Sequence, residues 1–89
     1  MTSDPMASET MRGEIRAKVI ELAREIGRDA KSLTADRSIP DTGYLDSPGI
    51  MALIAWFEVR FGLDIEQEDL TLENFGTIDA MVEYAVSHG

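Results

Sequence analysis

Residues 47–61 read SPGIMALIAWFEVRF, and the pattern of this stretch indicates a helical fold. Its apolar residues recur with the period of one helical face, which predicts that five of them point into a core: Ile50, Leu53, Ile54, Phe57 and Phe61. The helix is predicted to begin at Ser47, because serine is a favoured cap and Pro48 suits the first helical position. Gly62 is predicted to end it.

The opposite side of this helix is also apolar. It carries six residues on or beside one face: Pro48, Met51, Ala52, Ala55, Trp56 and Val59. A domain of 89 residues can hardly surround such a helix, so this side favours docking against a partner protein. The alternative stays open that Ala52 and Ala55 are only good helix formers and that Trp56 lies over the edge of the core.

A first helix is predicted over residues 10–26. Five apolar residues recur there at steps of three and four: Met11, Ile15, Val19, Leu22 and Ile26. Gly27 supplies its stop. Residues 1–9 are polar and include Pro5, so we expect a disordered tail there and a folded domain at residues 10–89.

Residues 28–46 form a long connection that contains Pro40 and Gly43. Connections of this length are uncommon and are usually either functional or disordered. Four apolar residues favour an ordered connection pinned to the core: Leu33, Ile39, Tyr44 and Leu45.

The rest of the chain predicts a last helix preceded by a shorter one. Residues 64–76 suggest one or two short helical turns, and Thr77 is predicted to cap the last helix. The buried stripe of that helix is predicted to be Ile78, Met81, Val82 and Ala85. We therefore expect an all-α fold, a small antiparallel four-helix bundle of three main helices and one short helix, with a long loop between the first two.

The composition limits the kind of protein. Apolar residues make up 44% of the chain and aromatic residues only 7%, which suits an aliphatic helical core. The sequence has no cysteine, so a disulfide framework is excluded and a reducing cytoplasm is the expected compartment. No apolar run reaches membrane-spanning length, and we expect a monomer without membrane insertion.

The charge favours basic partners. The formal net charge is -9, which repels nucleic acid and anionic membranes. The alternative is that the acidity only serves solubility.

Catalytic chemistry is not apparent. The one histidine, His88, is next to the C-terminus and is expected to meet the helix dipole or solvent. A run of carboxylates lacks the ligand spacing of a calcium loop and is expected to be a solvated surface: Asp64, Glu66, Glu68 and Asp69. We therefore predict no catalytic residue and no metal site.

Ser47 lies at the predicted start of the helix over residues 47–61. The unpaired N–H groups and the positive end of the helix dipole favour a phosphate at this point. Taken alone, a serine at a helix start is usually a cap.

Residues 43–47, GYLDS, followed by a helix, resemble the attachment motif of acyl, peptidyl and D-alanyl carrier proteins. The resemblance extends over residues 10–87 and includes the loop ending IPDTG at 39–43 and the run EVRFGLDI at 58–65. It also includes TIDAMV at 77–82, which is similar to the opening of the family's final helix.

The resemblance implies a function. A phosphopantetheinyl transferase would join 4′-phosphopantetheine from coenzyme A to the Ser47 hydroxyl, and Asp46 would help the transferase and its magnesium assemble there. The thiol of the arm would carry acyl or aminoacyl groups between a loading ligase and an accepting enzyme, in fatty acid or secondary metabolite biosynthesis. The alternative of another class is an unmodified acidic helical protein-interaction module.

Two departures from the family pattern lie in the helix predicted over residues 47–61. Gly49 follows Pro48 and should loosen the first turn. Ala52 and Val59 stand where acidic residues are usual, which leaves Glu58 as the one carboxylate between Ser47 and Phe61. We therefore hypothesise a dedicated partner bound by apolar contact, as for stand-alone aminoacyl or D-alanyl carriers.

The crowding of carboxylates predicts a response to salt. Added salt or magnesium should raise the melting temperature, because screening weakens repulsion within the small domain. Thermal unfolding followed by circular dichroism at increasing ionic strength measures this, and a flat response would contradict it.

Overall fold

The fold is all-helical, as the sequence predicts. A computed structural model describes residues 5–88, and this part of the chain contains no strand. Its α-helices are α1 (Pro5–Glu25), α2 (Ile39–Thr42), α3 (Ser47–Phe61), α4 (Leu72–Phe75) and α5 (Ile78–His88), and a 3₁₀ helix lies at Gln67–Asp69. Within residues 5–88, no helix combines the length and the apolar character needed to cross a bilayer.

Both ends of α1 differ from the sequence prediction. The helix begins at Pro5 and not at Thr10, since a proline is well suited to a first helical turn. It ends at Glu25, so Ile26 lies in the following turn and is 40% exposed. The predicted stop at Gly27 is confirmed: its φ is +77°, and the Arg28 N–H donates to the Ala23 carbonyl at 2.8 Å.

The predicted tail lies only partly within the described residues. Residues 1–4 lie outside them, whereas residues 5–9 belong to α1. The division of the chain into a tail at 1–9 and a domain at 10–89 stays a prediction.

The core forms where α1 packs against α3 and α5. Its largest fully enclosed side chains come from these three helices and the first connection: Ile15, Val19, Ile39, Leu53, Phe57, Ile78 and Met81. The Phe57 ring meets Phe61 and Phe75 edge-on, with centroids 5.2 and 5.8 Å away. The side of α3 predicted to face inward therefore does so, most completely at Leu53 and Phe57.

The long connection is ordered by its apolar anchors. Leu33, Ile39 and Leu45 are buried, as predicted, and Tyr44 is half-buried. Two backbone hydrogen bonds tie the connection to the corner between α4 and α5: Ile39 N–H to the Gly76 carbonyl at 2.7 Å, and Asp79 N–H to the Ala35 carbonyl at 3.0 Å. The short helix α2 inside this connection was not predicted, because four residues are too few to establish a period.

The last helix is held by a cap at its start and by a buried tyrosine. Thr77 Oγ1 accepts from the Ala80 N–H at 3.0 Å, which confirms the predicted cap. Tyr84, absent from the predicted stripe, is buried and donates its hydroxyl to Asp69 Oδ2 at 2.9 Å. Burial first, and then this hydrogen bond, raise the pKa of the Tyr84 hydroxyl.

Two truncations on α3 should separate its inner side from its outer side. Leu53→Ala should lower the free energy of unfolding by about 2 to 5 kcal/mol, because it leaves a cavity in the core. Val59 is 85% exposed on the same helix, so Val59→Ala should change that free energy by no more than about 0.5 kcal/mol. Urea unfolding of both variants measures the difference, and equal losses would contradict this packing.

Candidate functional site

The cap of α3 is Asp46 and not Ser47. Asp46 has extended backbone angles, its Oδ1 accepts from the Gly49 N–H at 2.8 Å, and its carbonyl accepts from the Ile50 N–H at 2.9 Å. Ser47 is therefore the first helical residue and Pro48 the second. The prediction of a serine cap was wrong by one residue, because aspartate is an equally favoured cap and the two residues are adjacent.

Gly49 leaves space for this cap. A Cβ at position 49 would lie 3.0 Å from Asp46 Oδ1 and 3.4 Å from Leu45 Cβ. The missing side chain therefore lets the carboxylate approach the N–H closely. The expected loosening of the first turn by this glycine stays a prediction, and in the structure the glycine leaves space beside the carboxylate that closes the turn.

The Ser47 side chain is open to solvent. The residue is exposed, and its hydroxyl has no hydrogen-bond partner among residues 5–88. Because Asp46 supplies the cap, the hydroxyl of Ser47 is not needed for it. The oxygen is thus at the positive end of a 15-residue helix and available for reaction.

The backbone donors at this helix start are fewer than the sequence suggested. Pro48 has no N–H, Asp46 accepts from both Gly49 and Ile50, and the Ser47 N–H is the one donor of the first turn without a partner in the described part of the chain. A phosphate on Ser47 would therefore gain the helix dipole and one N–H group.

The segment before the site is anchored from two sides. Leu45 is buried, and the guanidinium of Arg28 donates to the Gly43 carbonyl. Gly43 has a φ of +73°, a left-handed conformation that favours glycine. The chain therefore reaches Asp46 and Ser47 from a fixed turn.

The predicted docking side of α3 is solvent-facing. Val59 is 85% and Met51 58% exposed, and Pro48, Ala52 and Ala55 are also exposed. Trp56 is half-buried, and its ring meets Phe61 edge-on with centroids 5.9 Å apart. The alternative interpretation of Trp56 as a cover over the core edge thus holds for that residue, while the other five lie at the surface.

The two charged residues on this side have internal partners that the sequence did not reveal. Glu58 Oε2 accepts from the Ile65 N–H at 3.0 Å, and Arg60 pairs with Glu14 of α1 at 2.6 Å. Glu58 therefore closes the turn after Gly62. Glu58 is the one carboxylate of α3, so each carboxylate of this helix has an internal hydrogen-bond partner.

An apolar groove lies beside the site and was missed by the sequence analysis. It encloses about 220 Å³ between α2, α3 and α4, and its lining includes Pro40, Ile50, Met51, Ile54, Leu72 and Phe75. The residue that could have indicated this groove is the apolar Leu72, which is 71% exposed. Whether Leu72 lines a groove depends on the position of α4, and the sequence pattern did not define that helix.

The other candidate groups stay apart from Ser47. Within residues 5–88, no three His, Asp or Glu side chains are grouped closely enough to hold a metal ion. His88 stacks on Tyr84 with ring centroids 3.9 Å apart, and Asp69 is used by Tyr84. Neither residue contributes to the site at Ser47.

Known proteins resemble most of this chain. Residues 17–85, which include Asp46, Ser47 and all of α3, match the phosphopantetheine attachment site family. The D-alanyl carrier protein of Streptococcus sanguinis is 31% identical over 70 residues, which cover 79% of this chain and 89% of that protein.

Two further relatives agree with this match. A D-alanyl carrier protein of Streptococcus thermophilus is 30% identical, with the same coverage of both chains. An acyl carrier protein of Exiguobacterium sp. is 32% identical over 63 residues, which cover 71% of this chain and 77% of that protein. No solved structure matches significantly.

Substitutions at Asp46 should distinguish a cap from a charge. Asp46→Ala should lower the free energy of unfolding by about 0.5 to 2 kcal/mol, whereas Asp46→Asn should leave it nearly unchanged, because asparagine caps as well as aspartate. Chemical denaturation of both variants measures this. Equal destabilisation by the two substitutions would contradict the capping role.

Proposed function

The chain belongs to the phosphopantetheine-binding carrier proteins, and from that premise we propose that Ser47 is the residue to which its prosthetic group is attached. A protein of this family holds acyl or aminoacyl groups on a covalently bound 4′-phosphopantetheine, and that is the function of this chain. The observation that carries the assignment to Ser47 is its exposed hydroxyl, which has no partner among residues 5–88 and stands at the first residue of α3.

The surroundings of Ser47 fit a phosphodiester. The helix dipole of α3 and the Ser47 N–H both favour an anion there. When bound, the arm supplies a thiol that holds the cargo as a thioester. The phosphodiester to Ser47 would form as the pyrophosphate bond of coenzyme A breaks and releases adenosine 3′,5′-bisphosphate. The part of this chain is to present Ser47 Oγ to the transferase, which must take up its proton, because no described side chain hydrogen-bonds that oxygen.

Asp46 has a second proposed role beside its cap. Its Oδ1 is occupied by the Gly49 N–H, while Oδ2 has no partner in the described part of the chain. Carboxylate oxygens are preferred magnesium ligands. We assign Oδ2 to the magnesium of the phosphopantetheinyl transferase, so that one carboxylate both closes the helix start and recruits the modifying enzyme.

The outer side of α3 is the proposed docking surface: Pro48, Met51, Ala52, Ala55, Trp56 and Val59. It is apolar and begins one residue after Ser47, so an enzyme bound to it would have the arm within reach. Glu58 is the one carboxylate of α3, and one of its oxygens accepts from the Ile65 N–H, so this surface offers a basic partner little beside apolar contact. The partners proposed are the transferase, a loading ligase and an accepting enzyme.

The relatives favour aminoacyl cargo. Two of the relatives described above are D-alanyl carrier proteins. We propose that this chain likewise carries a small amino acid, acts in the cytoplasm and has no catalytic residue of its own.

Modification in vitro tests the assignment. With coenzyme A and a broad-specificity phosphopantetheinyl transferase, the intact mass of the wild type should rise by one phosphopantetheine, and Ser47→Ala should show no gain. Ser32→Ala, at an exposed serine of the first connection, is the matched control and should be modified normally. Modification of Ser47→Ala would refute the site, and an unmodified wild type would favour an interaction module.

Apolar docking makes a separate prediction. Met51→Ser should weaken binding of the holo protein to its loading ligase by about ten-fold, because it removes an exposed apolar contact from the proposed surface. Val86→Ser, at a 41% exposed valine of α5, should have no effect. Titration calorimetry at low and high salt measures both. A steep loss of affinity with salt, together with unchanged binding by Met51→Ser, would contradict apolar docking.

A further inference from the structure

The basic residues of this acidic chain are concentrated in one segment. Residues 16–31 hold five of the eight Lys and Arg residues and three of the 17 Asp and Glu residues. The segment is therefore locally positive, although the chain has a net charge of -9. At about 0.1 M salt, charges more than about 10 Å away are largely screened, so a partner near this segment senses mainly the local charge.

The structure gathers these cations around a cavity. A solvent-open pocket of about 250 Å³ lies where α1 ends and the first connection begins. Its lining is Ile20, Arg24, Gly27, Arg28, Asp29 and Lys31. Three cations and one carboxylate thus surround a site with an aliphatic wall.

The cations of this pocket are not neutralised internally. The ion pairs of residues 5–88 join Arg12 to Asp79, Lys18 to Glu21 and Arg60 to Glu14, and none involves Arg24, Arg28 or Lys31. Arg28 is hydrogen-bonded to a neutral carbonyl, that of Gly43, so it keeps its charge. Asp29, the one acid of the lining, accepts from the Lys31 backbone N–H at 3.0 Å.

The pocket is connected to the attachment segment. Arg28 contacts Gly43, which is four residues before Ser47, and four residues span at most about 14 Å. An enzyme acting at Ser47 would therefore be close enough to place a loop or side chain in the pocket.

We propose that this basic pocket docks a carboxylate-bearing segment of a partner enzyme. Arginine is well suited to this because its guanidinium binds carboxylates through paired hydrogen bonds. The chain would then bind its partner with two surfaces on either side of Ser47, an apolar one on α3 and a basic one at the end of α1. The inference rests on the proposed function only in treating the partner as an enzyme that acts at Ser47.

Binding of a hexaglutamate peptide tests the pocket. With the full-length, isotope-labelled protein at about 0.1 M salt, titration should move the backbone NMR signals of residues 24–31 saturably, and added salt should weaken the binding. Arg24→Glu should lower the affinity at least about five-fold. Arg37→Glu, the same charge change at an exposed arginine outside the pocket, should leave it unaltered. Arg24→Gln should also weaken binding, and it serves as a second variant in case the charge reversal in Arg24→Glu disturbs folding.

Three outcomes would overturn the proposal. They are signal changes that do not centre on residues 24–31, an equal loss of affinity in Arg37→Glu, and binding of inorganic phosphate at these residues as tightly as hexaglutamate, which would indicate a small-anion site. Ser47→Ala should bind the peptide like the wild type. Failure of the attachment site and failure of the pocket are therefore distinguishable.

Discussion

One constraint governs this molecule: a domain of 89 residues can bury only one side of its central helix. The inner side of α3 supplies Leu53 and Phe57 to the core, and the packing of α1, α4 and α5 follows from enclosing them. The outer side is then left in water with apolar residues such as Met51 and Val59. In the proposed docking role, this exposed surface gives partner enzymes an apolar area beside the proposed attachment point at Ser47.

The start of α3 divides two roles between neighbouring residues, and the Ser47 hydroxyl, the proposed attachment point, is not needed for the cap. If Ser47 capped the helix, its hydroxyl would accept a backbone N–H and would have to be released before modification. Asp46 takes the cap instead, and Gly49 leaves room for the carboxylate. Burial of Leu45 and the contact from Arg28 to Gly43 hold the preceding turn. Stability is therefore supplied by the residues around Ser47, and its side chain is left for chemistry.

Charge is distributed unevenly around the same point. Glu58 accepts a backbone hydrogen bond from Ile65 and Arg60 pairs with Glu14, so both charged residues have internal partners and the rest of the outer side of α3 is apolar. The unpaired cations lie instead at the end of α1, linked to the attachment segment through Arg28. As proposed docking surfaces, these two chemically different areas near Ser47 would allow different combinations of contacts with partner enzymes.

Local sequence determined the long helices, the stops at Gly27 and Gly62, the cap at Thr77 and the position of Ser47 at a helix start, because periodicity and end signals act within a few residues. Tertiary structure decided which of two adjacent residues caps α3, since the answer depends on the space at Gly49 and the burial of Leu45. It also decided the helix α2, the groove beside α3, the hydrogen bond from Ile65 to Glu58 and the hydrogen bond from Arg28 to Gly43. These features depend on three-dimensional contacts and available space, and no local pattern in a single sequence specifies them.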